Sequence, residues 1–352
     1  MQKIVLCGGG TLGHFTPNIA IFEKLNSDYD FIYIGTKDGM EKEKAKLLMP
    51  YKEVETCKLI RSFTLKNLAI PFKLFKGIRE AKKILKQEKP ALIFSKGGFA
   101  SIPVVIAGKA LKIPCITHES DLSLGLANKL IAKKCKFVCT SFEETAKNLK
   151  NGIYTGTPIR EQIFKGKAST VIDKFNLDKN KKTIVVIGGS LGSENINKVV
   201  RESLPYLKNE QILHITGKGK QDKKVTAPNY HQIEYAENIE DYFALADLVI
   251  TRGGSNTLFE LLALKKTMLI IPLGTNVSRG DQIQNANEFK KRSFANVLFE
   301  ENLNAQTLVK EIKETINSTK TFIANIEQKS KNGTEIVCNL IKETIKTTAK
   351  NT

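Results

Sequence analysis

Tryptophan is absent, and aromatic residues make up only 7% of the 352-residue chain. Platforms for stacking bases are therefore scarce, and charge alone does not make a nucleic-acid binder. The six cysteines, Cys7, Cys57, Cys115, Cys135, Cys139 and Cys338, form no CxxC pair. Most sit in apolar runs such as IVLC and KFVC, where Cys acts as a small hydrophobe. That pattern excludes a disulfide scaffold and fits a reducing compartment. No His/Cys/carboxylate cluster has the spacing of a metal site, so no metal and no cofactor are expected. The DxD at Asp28-Tyr29-Asp30 precedes a strand rather than following one, and reads as a solvated turn. No apolar run reaches the ~20 residues that span a bilayer. The chain opens on strand-like QKIVLC, not on a signal peptide. A soluble or peripheral protein is expected, without internal repeats or low-complexity tracts.

Positive charge is abundant. The formal net charge is +19, and residues 1–160 hold 27 Lys and Arg against 14 Asp and Glu. A basic half points to an anionic partner: a membrane surface, a nucleic acid or a phosphorylated substrate. Short apolar runs alternate with amphipathic stretches. KIVLC, DFIYIG, YKEVET, ALIFS, PCITH, KFVCT and IYTG read as strands in the first half. TIVVIGG, QILHITG, HQIEYA, DLVITR, TMLIIP and ANVLF follow in the second. This alternation predicts two doubly wound α/β units, each with a parallel sheet covered on both faces. The boundary falls near 158–182, and Ile159 to Lys182 reads as a charged connector. The expected domains are 1–160 and 161–332. A last helix, 333–352, carries Ile336, Leu340 and Ile341 at helical spacing and is expected to pack back on the first unit.

Three glycine turns follow strands. Gly8-Gly9-Gly10-Thr11-Leu12-Gly13-His14 contains a literal G-x-G-x-x-G, which alone suggests a dinucleotide site with Asp38 on the ribose. Gly188-Gly189-Ser190-Leu191-Gly192 and Arg252-Gly253-Gly254-Ser255-Asn256-Thr257 each aim a helix N-terminus at the mouth of the second sheet. Two anion sites in the second half suit a diphosphate there, and a nicotinamide dehydrogenase has no use for them. Glu260, one turn past Thr257, is placed to bind ribose hydroxyls. Asp281 and Gln282, opening a helix in Arg279-Gly280-Asp281-Gln282-Ile283-Gln284-Asn285-Ala286, are placed to read a sugar.

GGGTLGH, SKGGFASIP, HESD, TGTPIR, GGSLGS, RGGSNTLFE and RGDQIQNA occur in this order along nearly the whole chain. The set resembles the MurG family of UDP-N-acetylglucosamine:undecaprenyl-diphospho-muramoylpeptide N-acetylglucosaminyltransferases. The resemblance implies a GT-B fold, two Rossmann-like domains with a cleft between them, and inverting, metal-independent transfer that converts lipid I to lipid II in peptidoglycan synthesis. It implies that Gly188, Gly189 and Ser190 lie at the UDP-GlcNAc diphosphate with Arg160 nearby, and that the Ile239 backbone meets uracil. Ser255, Asn256 and Thr257 would approach the α-phosphate, Glu260 the ribose, and Asp281, Gln282 and Asn285 the sugar. Thr11, Leu12 and Gly13 would border the sugar from the first domain, and Gly97, Gly98, Asp121 and Asn128 the acceptor. Leu12, Asp121 and Asp281 depart from residues common in the family; Leu12 bears on the geometry of the acceptor loop.

Inverting transfer needs a base for the acceptor hydroxyl and dipoles for the departing diphosphate. His14, at a helix start where the dipole disfavours imidazolium, is the first candidate base, and Glu119 the rival. His118 reads as structural, and His214 and His231 have no assigned role. Between Leu59 and Lys89, Leu65, Leu68, Ile70, Phe72, Leu74 and Phe75 are interleaved with Arg61, Lys66, Lys73, Lys76, Arg79, Lys82 and Lys83. That mixture suits an anionic membrane surface, at the cytoplasmic face of the cell membrane for this family. The expected partners are UDP-GlcNAc, the lipid-linked acceptor and the membrane, with cell-wall or division proteins as further candidates. The alternatives are another GT-B enzyme, such as a diacylglycerol glycosyltransferase or a UDP-GlcNAc 2-epimerase, and an NAD-dependent oxidoreductase.

Overall fold

A computed structural model describes residues 1–9, 12–56, 70–189, 191–275, 278–329 and 331–350. The chain divides into two compact units, Met1–Arg160 with Lys331–Thr352, and Glu161–Ser330. Each is built on one parallel sheet. The first contains β1 (Lys3–Cys7), β2 (Asp30–Gly35), β3 (Tyr51–Glu53), β4 (Leu92–Ser95), β5 (Cys115–Glu119), β6 (Phe137–Thr140) and β7 (Gly152–Tyr154), in the order β3-β2-β1-β4-β5-β6-β7. The second contains β8 (Thr183–Ile187), β9 (Gln211–Ile215), β10 (Tyr230–Ile233), β11 (Leu248–Thr251), β12 (Met268–Ile270) and β13 (Asn296–Val297), in the order β10-β9-β8-β11-β12-β13. Every strand read from the sequence is present, and the doubly wound α/β fold is the one expected.

Both faces of the first sheet are buried, and the period of two sorts β1 between them. Ile4 and Leu6 join one core with Phe94 and Ile116. Val5 and Cys7 join the other with Ile93, Val104 and Leu85. Strands buried on both sides must be apolar throughout, which is why KIVLC reads as an unbroken run. The second sheet repeats the logic, with Ile184, Val186 and Ile250 in its core. The described cysteines, Cys7, Cys115, Cys135, Cys139 and Cys338, are free and buried.

The C-terminal helix Gly333–Ala349 packs on helix Thr16–Leu25 of the first unit. Its buried stripe is Val337, Cys338, Ile341 and Ile345. Of the stripe expected from the sequence, only Ile341 is fully buried; Ile336 and Leu340 lie at its edges. A Cβ on Gly333 would meet the Thr157 carbonyl oxygen at 2.3 Å, so the helix enters where only glycine fits. The segment Ile159–Lys182 is more than the expected connector. It holds helix Ala168–Phe175, which packs on helix Ile239–Leu245 and buries Val171. The surrounding lysines masked that short amphipathic signal.

Strand order reverses between β1 and β4 and between β8 and β11. At such a switch point the loops leaving the carboxyl ends of the two strands part and open a crevice. The three glycine turns of the sequence leave β1, β8 and β11, and the SKGGFASIP motif leaves β4.

Candidate active site

In the first unit the loops after β1 and β4 touch. Gly97 and Gly98 adopt φ of +83° and +78°, a region that disfavours side chains. A Cβ on Gly98 would lie 2.4 Å from the Gly9 oxygen and 3.0 Å from His14 Cδ2. The His14 ring is therefore seated against the Gly98 backbone. His14 ends the short 3₁₀ turn Leu12–His14 that leads into helix Thr16–Leu25, and it is half-buried. Beneath it, the fully buried Asn18 side chain donates to the Cys7 and His14 carbonyl oxygens, both at 3.3 Å. Tyr33 donates to the Gly8 oxygen at 3.1 Å. These bonds hold the turn from below. Thr11 and the Leu12 side chain, also assigned to the site, lie outside the described residues.

Glu119 ends β5 and is 6% exposed. Its Oε1 accepts from the Asp121 N–H at 3.1 Å, and its Oε2 from the Gly125 N–H at 2.8 Å and Asn128 Nδ2 at 2.9 Å. Asn128 Oδ1 in turn accepts from the Thr117 hydroxyl at 2.9 Å. A Cβ on Gly97 would touch the Asn128 amide at 3.0 Å. Glu119 and Asn128 thus form a buried frame that shapes the loop carrying Asp121. Burial raises the Glu119 carboxyl above its ordinary range and Asp121 adds to this; Lys96 and the Asn128 and Gly125 hydrogen bonds oppose it.

Lys96, beside Gly97 and 3% exposed, donates to the Ser120 hydroxyl. Burial lowers its ammonium below the usual lysine range, against the pull of Glu119 and Asp121. His118 is structural, as expected. It is fully buried with Nε2 2.9 Å from the Gly156 oxygen, and burial first, then Lys96, hold it well below the ordinary histidine value. Arg160 closes the first unit. Beside it, Ile159 N–H donates to Thr334 Oγ1 at 2.8 Å, and that hydroxyl donates to the Ile159 oxygen at 3.0 Å.

The turns of the second unit are more open. Gly189 has φ +89° and a Cβ there would meet nothing within 4 Å, while Gly192, at φ +68°, is wedged against the Thr216 oxygen. Ser193 caps helix Glu194–Ser203, its Oγ accepting from the Ile196 N–H. After β11, helix Ser255–Ala263 begins at Gly254, which brings no side-chain cap and faces open space. Ser255, Asn256 and Thr257 form the first turn, whose backbone N–H groups have no acceptor within the helix. Glu260 lies one turn further on and is half-buried. Ile239 opens helix Ile239–Leu245. Ser190 lies outside the described residues.

Three side chains support these turns from behind. Arg252, 8% exposed, donates to Ser193 Oγ at 2.6 Å and Glu300 Oε1 at 2.9 Å, and to the Ile271 and Pro272 oxygens. Gln282 Oε1 accepts from the Gly253 N–H at 3.2 Å and the Leu273 N–H at 3.0 Å. Asn285, fully buried, donates to the Gly253 oxygen at 3.1 Å. Asn285 and the Gln282 oxygen therefore brace the loop after β11, at the place where the resemblance puts both beside the sugar. Asp281 pairs with Arg279 at 3.1 Å. The roles of Arg252 and Lys96 were missed because each sits in a glycine motif whose backbone draws attention first. The signal was a basic residue directly following a buried strand, where only a specific partner keeps it.

Residues 4–140 match the glycosyltransferase family 28 N-terminal domain, and residues 183–343 its C-terminal domain. A UDP-N-acetylglucosamine–N-acetylmuramyl-(pentapeptide) pyrophosphoryl-undecaprenol N-acetylglucosamine transferase of Clostridium perfringens is 45% identical, over 97% of this chain and 98% of its own. The enzyme of that name from Lachnospira eligens is 44% identical, over 98% of this chain and 100% of its own. Among solved structures, Acinetobacter baumannii MurG superposes with a TM-score of 0.79 at 23% identity, covering 97% of this chain and all of that one. A Neisseria meningitidis UDP-GlcNAc 2-epimerase, at 14% identity and a TM-score of 0.68 over 98% of this chain and 99% of that one, shares the fold. The chain belongs to glycosyltransferase family 28 and, within it, to the MurG family of N-acetylglucosamine transferases.

Proposed function

We propose that the second unit holds UDP-GlcNAc and that His14 of the first unit removes the proton from the acceptor hydroxyl of a lipid-linked N-acetylmuramyl-pentapeptide. The observation that carries this reading is the open start of helix Ser255–Ala263 beside the open Gly189, both at the switch point of the second sheet. Backbone N–H groups there suit a diphosphate, and the N-cap Gly254 brings no capping side chain of its own. As the bond from the sugar C1 to the diphosphate oxygen breaks, charge grows on that oxygen, and fixed dipoles stabilise it with little reorganisation. Arg160 adds a positive charge to the leaving group. Glu260 takes the ribose, the Ile239 backbone the uracil, and Asp281 the sugar hydroxyls. Gln282 and Asn285 act through the loop that they brace. The acceptor oxygen attacks C1 from the opposite face, which inverts the configuration, and His14 receives its proton.

Glu119 is assigned a positioning role. Its two oxygens already accept three N–H groups, and taking a proton would break that frame. With Asn128 it sets the loop of Asp121, which together with Gly97 and Gly98 borders the acceptor. The Ile70–Glu88 helix supports contact with the cytoplasmic face of the membrane. It buries Gly77, Ala81 and Leu85 yet leaves Phe72 79% and Phe75 62% exposed among Lys73, Lys76, Arg79 and Lys82. Residues 59–69 of the proposed membrane patch lie outside the described residues.

Calorimetry should show UDP-GlcNAc binding in preference to UDP-GalNAc and UDP-glucose. His14→Ala should lose about 10²–10⁴-fold in kcat, as removal of a general base does, with donor affinity unchanged. Glu119→Gln should instead raise the acceptor KM. Near-normal turnover in the His14 variant would remove it as base, and absence of UDP-GlcNAc binding would end the whole reading.

A further inference from the structure

Beside His14 a pocket of about 660 Å³ opens, walled by Gly9, Thr36, Lys37, Asp38, Glu53 and Phe99, with Glu55, Lys76 and Glu80 completing the rim. Its electrostatics run against the rest of the protein. The chain carries a net charge of +19, yet among the described residues four carboxylates face this pocket against two lysines. The partners are unevenly shared. Lys76 reaches Glu55 at 3.3 Å and Glu80 at 3.9 Å, and Lys42, outside the pocket, reaches Glu53 at 2.8 Å. Asp38 forms no ion pair among the described residues and is exposed. Under the wall made by Gly9 and Thr36 lies a fifth carboxylate. Glu41 is fully buried, its Oε1 accepting from Thr36 N–H and Oγ1, and its Oε2 has no hydrogen-bond partner. A phosphate in this pocket would meet net repulsion. A cation would meet Asp38 on the lining, together with Glu53, Glu55 and Glu80.

We propose that this pocket receives the peptide portion of the acceptor and selects a positively charged, amine-bearing side chain in it. The proposal rests on the transfer reading above, which places the acceptor hydroxyl at His14. A pocket bordered by that same imidazole is where the rest of the acceptor can extend, and Phe99 gives its aliphatic part an apolar wall. This makes Asp38 a specificity-determining residue. Its exposure means that its replacement leaves the fold unaltered.

The test uses two soluble short-chain acceptors that differ in one group, a peptide side-chain amine left free or acetylated. Steady-state transfer from UDP-GlcNAc is measured at low salt on the full chain. The free-amine acceptor should have a KM lower by about three- to fivefold, the upper range of a partly screened ion pair, with kcat alike for both. Asp38→Asn should narrow that preference to less than twofold, Asp38→Lys should reverse it, and high salt should erase it in the unmodified chain. Equal KM values for the two acceptors on an enzyme that turns both over would overturn the inference and leave the transfer reading intact. Failure to transfer to either acceptor, together with failure to bind UDP-GlcNAc, would overturn both.

Discussion

Replacing Gly98 with alanine tests whether the contact between the two glycine turns sets the position of His14. At φ +78° an alanine carries about 1–2 kcal/mol of backbone strain. Its Cβ would also lie 2.4 Å from the Gly9 oxygen, closer than the 3.0 Å below which real Cβ contacts essentially never fall. No side-chain rotation relieves a clash between Cβ and backbone, so the loop after β1 must retreat. His14, whose Cδ2 stands 3.0 Å from the same Cβ, must move with it. Misplacing a reacting group by about 1 Å costs about 10²-fold, so a smaller retreat should lower kcat by about 10- to 10²-fold. The strain alone should lower the melting temperature by roughly 2–8 °C for a unit of this size. Gly219→Ala supplies the comparison. Gly219 has φ +72° but open space around its Cβ, so it should show the strain in Tm and keep its kcat. Initial rates and thermal melts on both variants decide the matter. A Gly98→Ala enzyme with kcat within twofold of the parent would refute the contact as the determinant of His14 position.

His214, fully buried between Tyr230 and Asn197, is lowered to about 3 by burial and, secondarily, by Arg201. The unfolded chain binds its proton near pH 6.5 and the folded chain does not. The stability it lends is therefore complete above that pH and declines towards pH 3, by up to about 1.4 kcal/mol per pH unit. Urea melts at pH 7 and pH 5 should show the loss, and His214→Gln should flatten it; equal slopes would refute the assignment. Arg252→Met strands the half-buried Glu300 and the Ser193 hydroxyl, and should destabilise by about 1–3 kcal/mol, as losing charge-assisted hydrogen bonds does, read as a fall in the urea midpoint. Glu300 should report the change: burial works against its ionisation, and hydrogen bonds from Arg252 and Asn195 outweigh this to hold its carboxyl below the usual range. Phe72→Ser with Phe75→Ser should leave stability within about 0.5 kcal/mol yet weaken co-sedimentation with anionic vesicles. Unchanged vesicle binding would remove this helix from the membrane face.

The strands were legible because a parallel strand covered on both sides has to be apolar along its whole length, as KIVLC and TIVVI are. The glycine turns were legible because positive φ and close backbone approach leave glycine as the residue that fits. What stayed hidden were side chains whose partners are far apart in sequence. Glu41 sits in the charged run Glu41-Lys42-Glu43-Lys44, which looks like a solvated helix face. Only the fold brings Gly9 and Gly39 over its carboxylate. Arg252 and Glu300 are 48 residues apart, and no local period links them. The short helix Ala168–Phe175 failed to register for a related reason. Val171 is its one fully buried residue, too little apolar face to stand out among lysines.

The same sequence signature serves two physical ends in the two units. In the first unit the described glycines are crowded: Gly8 against the His14 oxygen, Gly9 against Glu41, Gly98 against Gly9. Their lack of a Cβ lets the protein pack its own groups tightly, and the result is a fixed side chain, His14. In the second unit Gly189 and Gly254 have nothing within 4 Å of where a Cβ would stand. Their lack of a Cβ clears room in front of backbone N–H groups, and the result is a surface for an anion. Fixing a proton acceptor demands close packing, because an imidazole displaced by a fraction of an ångström loses its hydrogen-bond geometry. Stabilising a departing diphosphate demands open, oriented dipoles, because the ligand itself has to occupy the space. The first-unit turns are crowded, while the second-unit turns combine crowded anchors at Gly188, Gly192 and Gly253 with open positions at Gly189 and Gly254, which is what the proposed division between acceptor activation and donor binding requires.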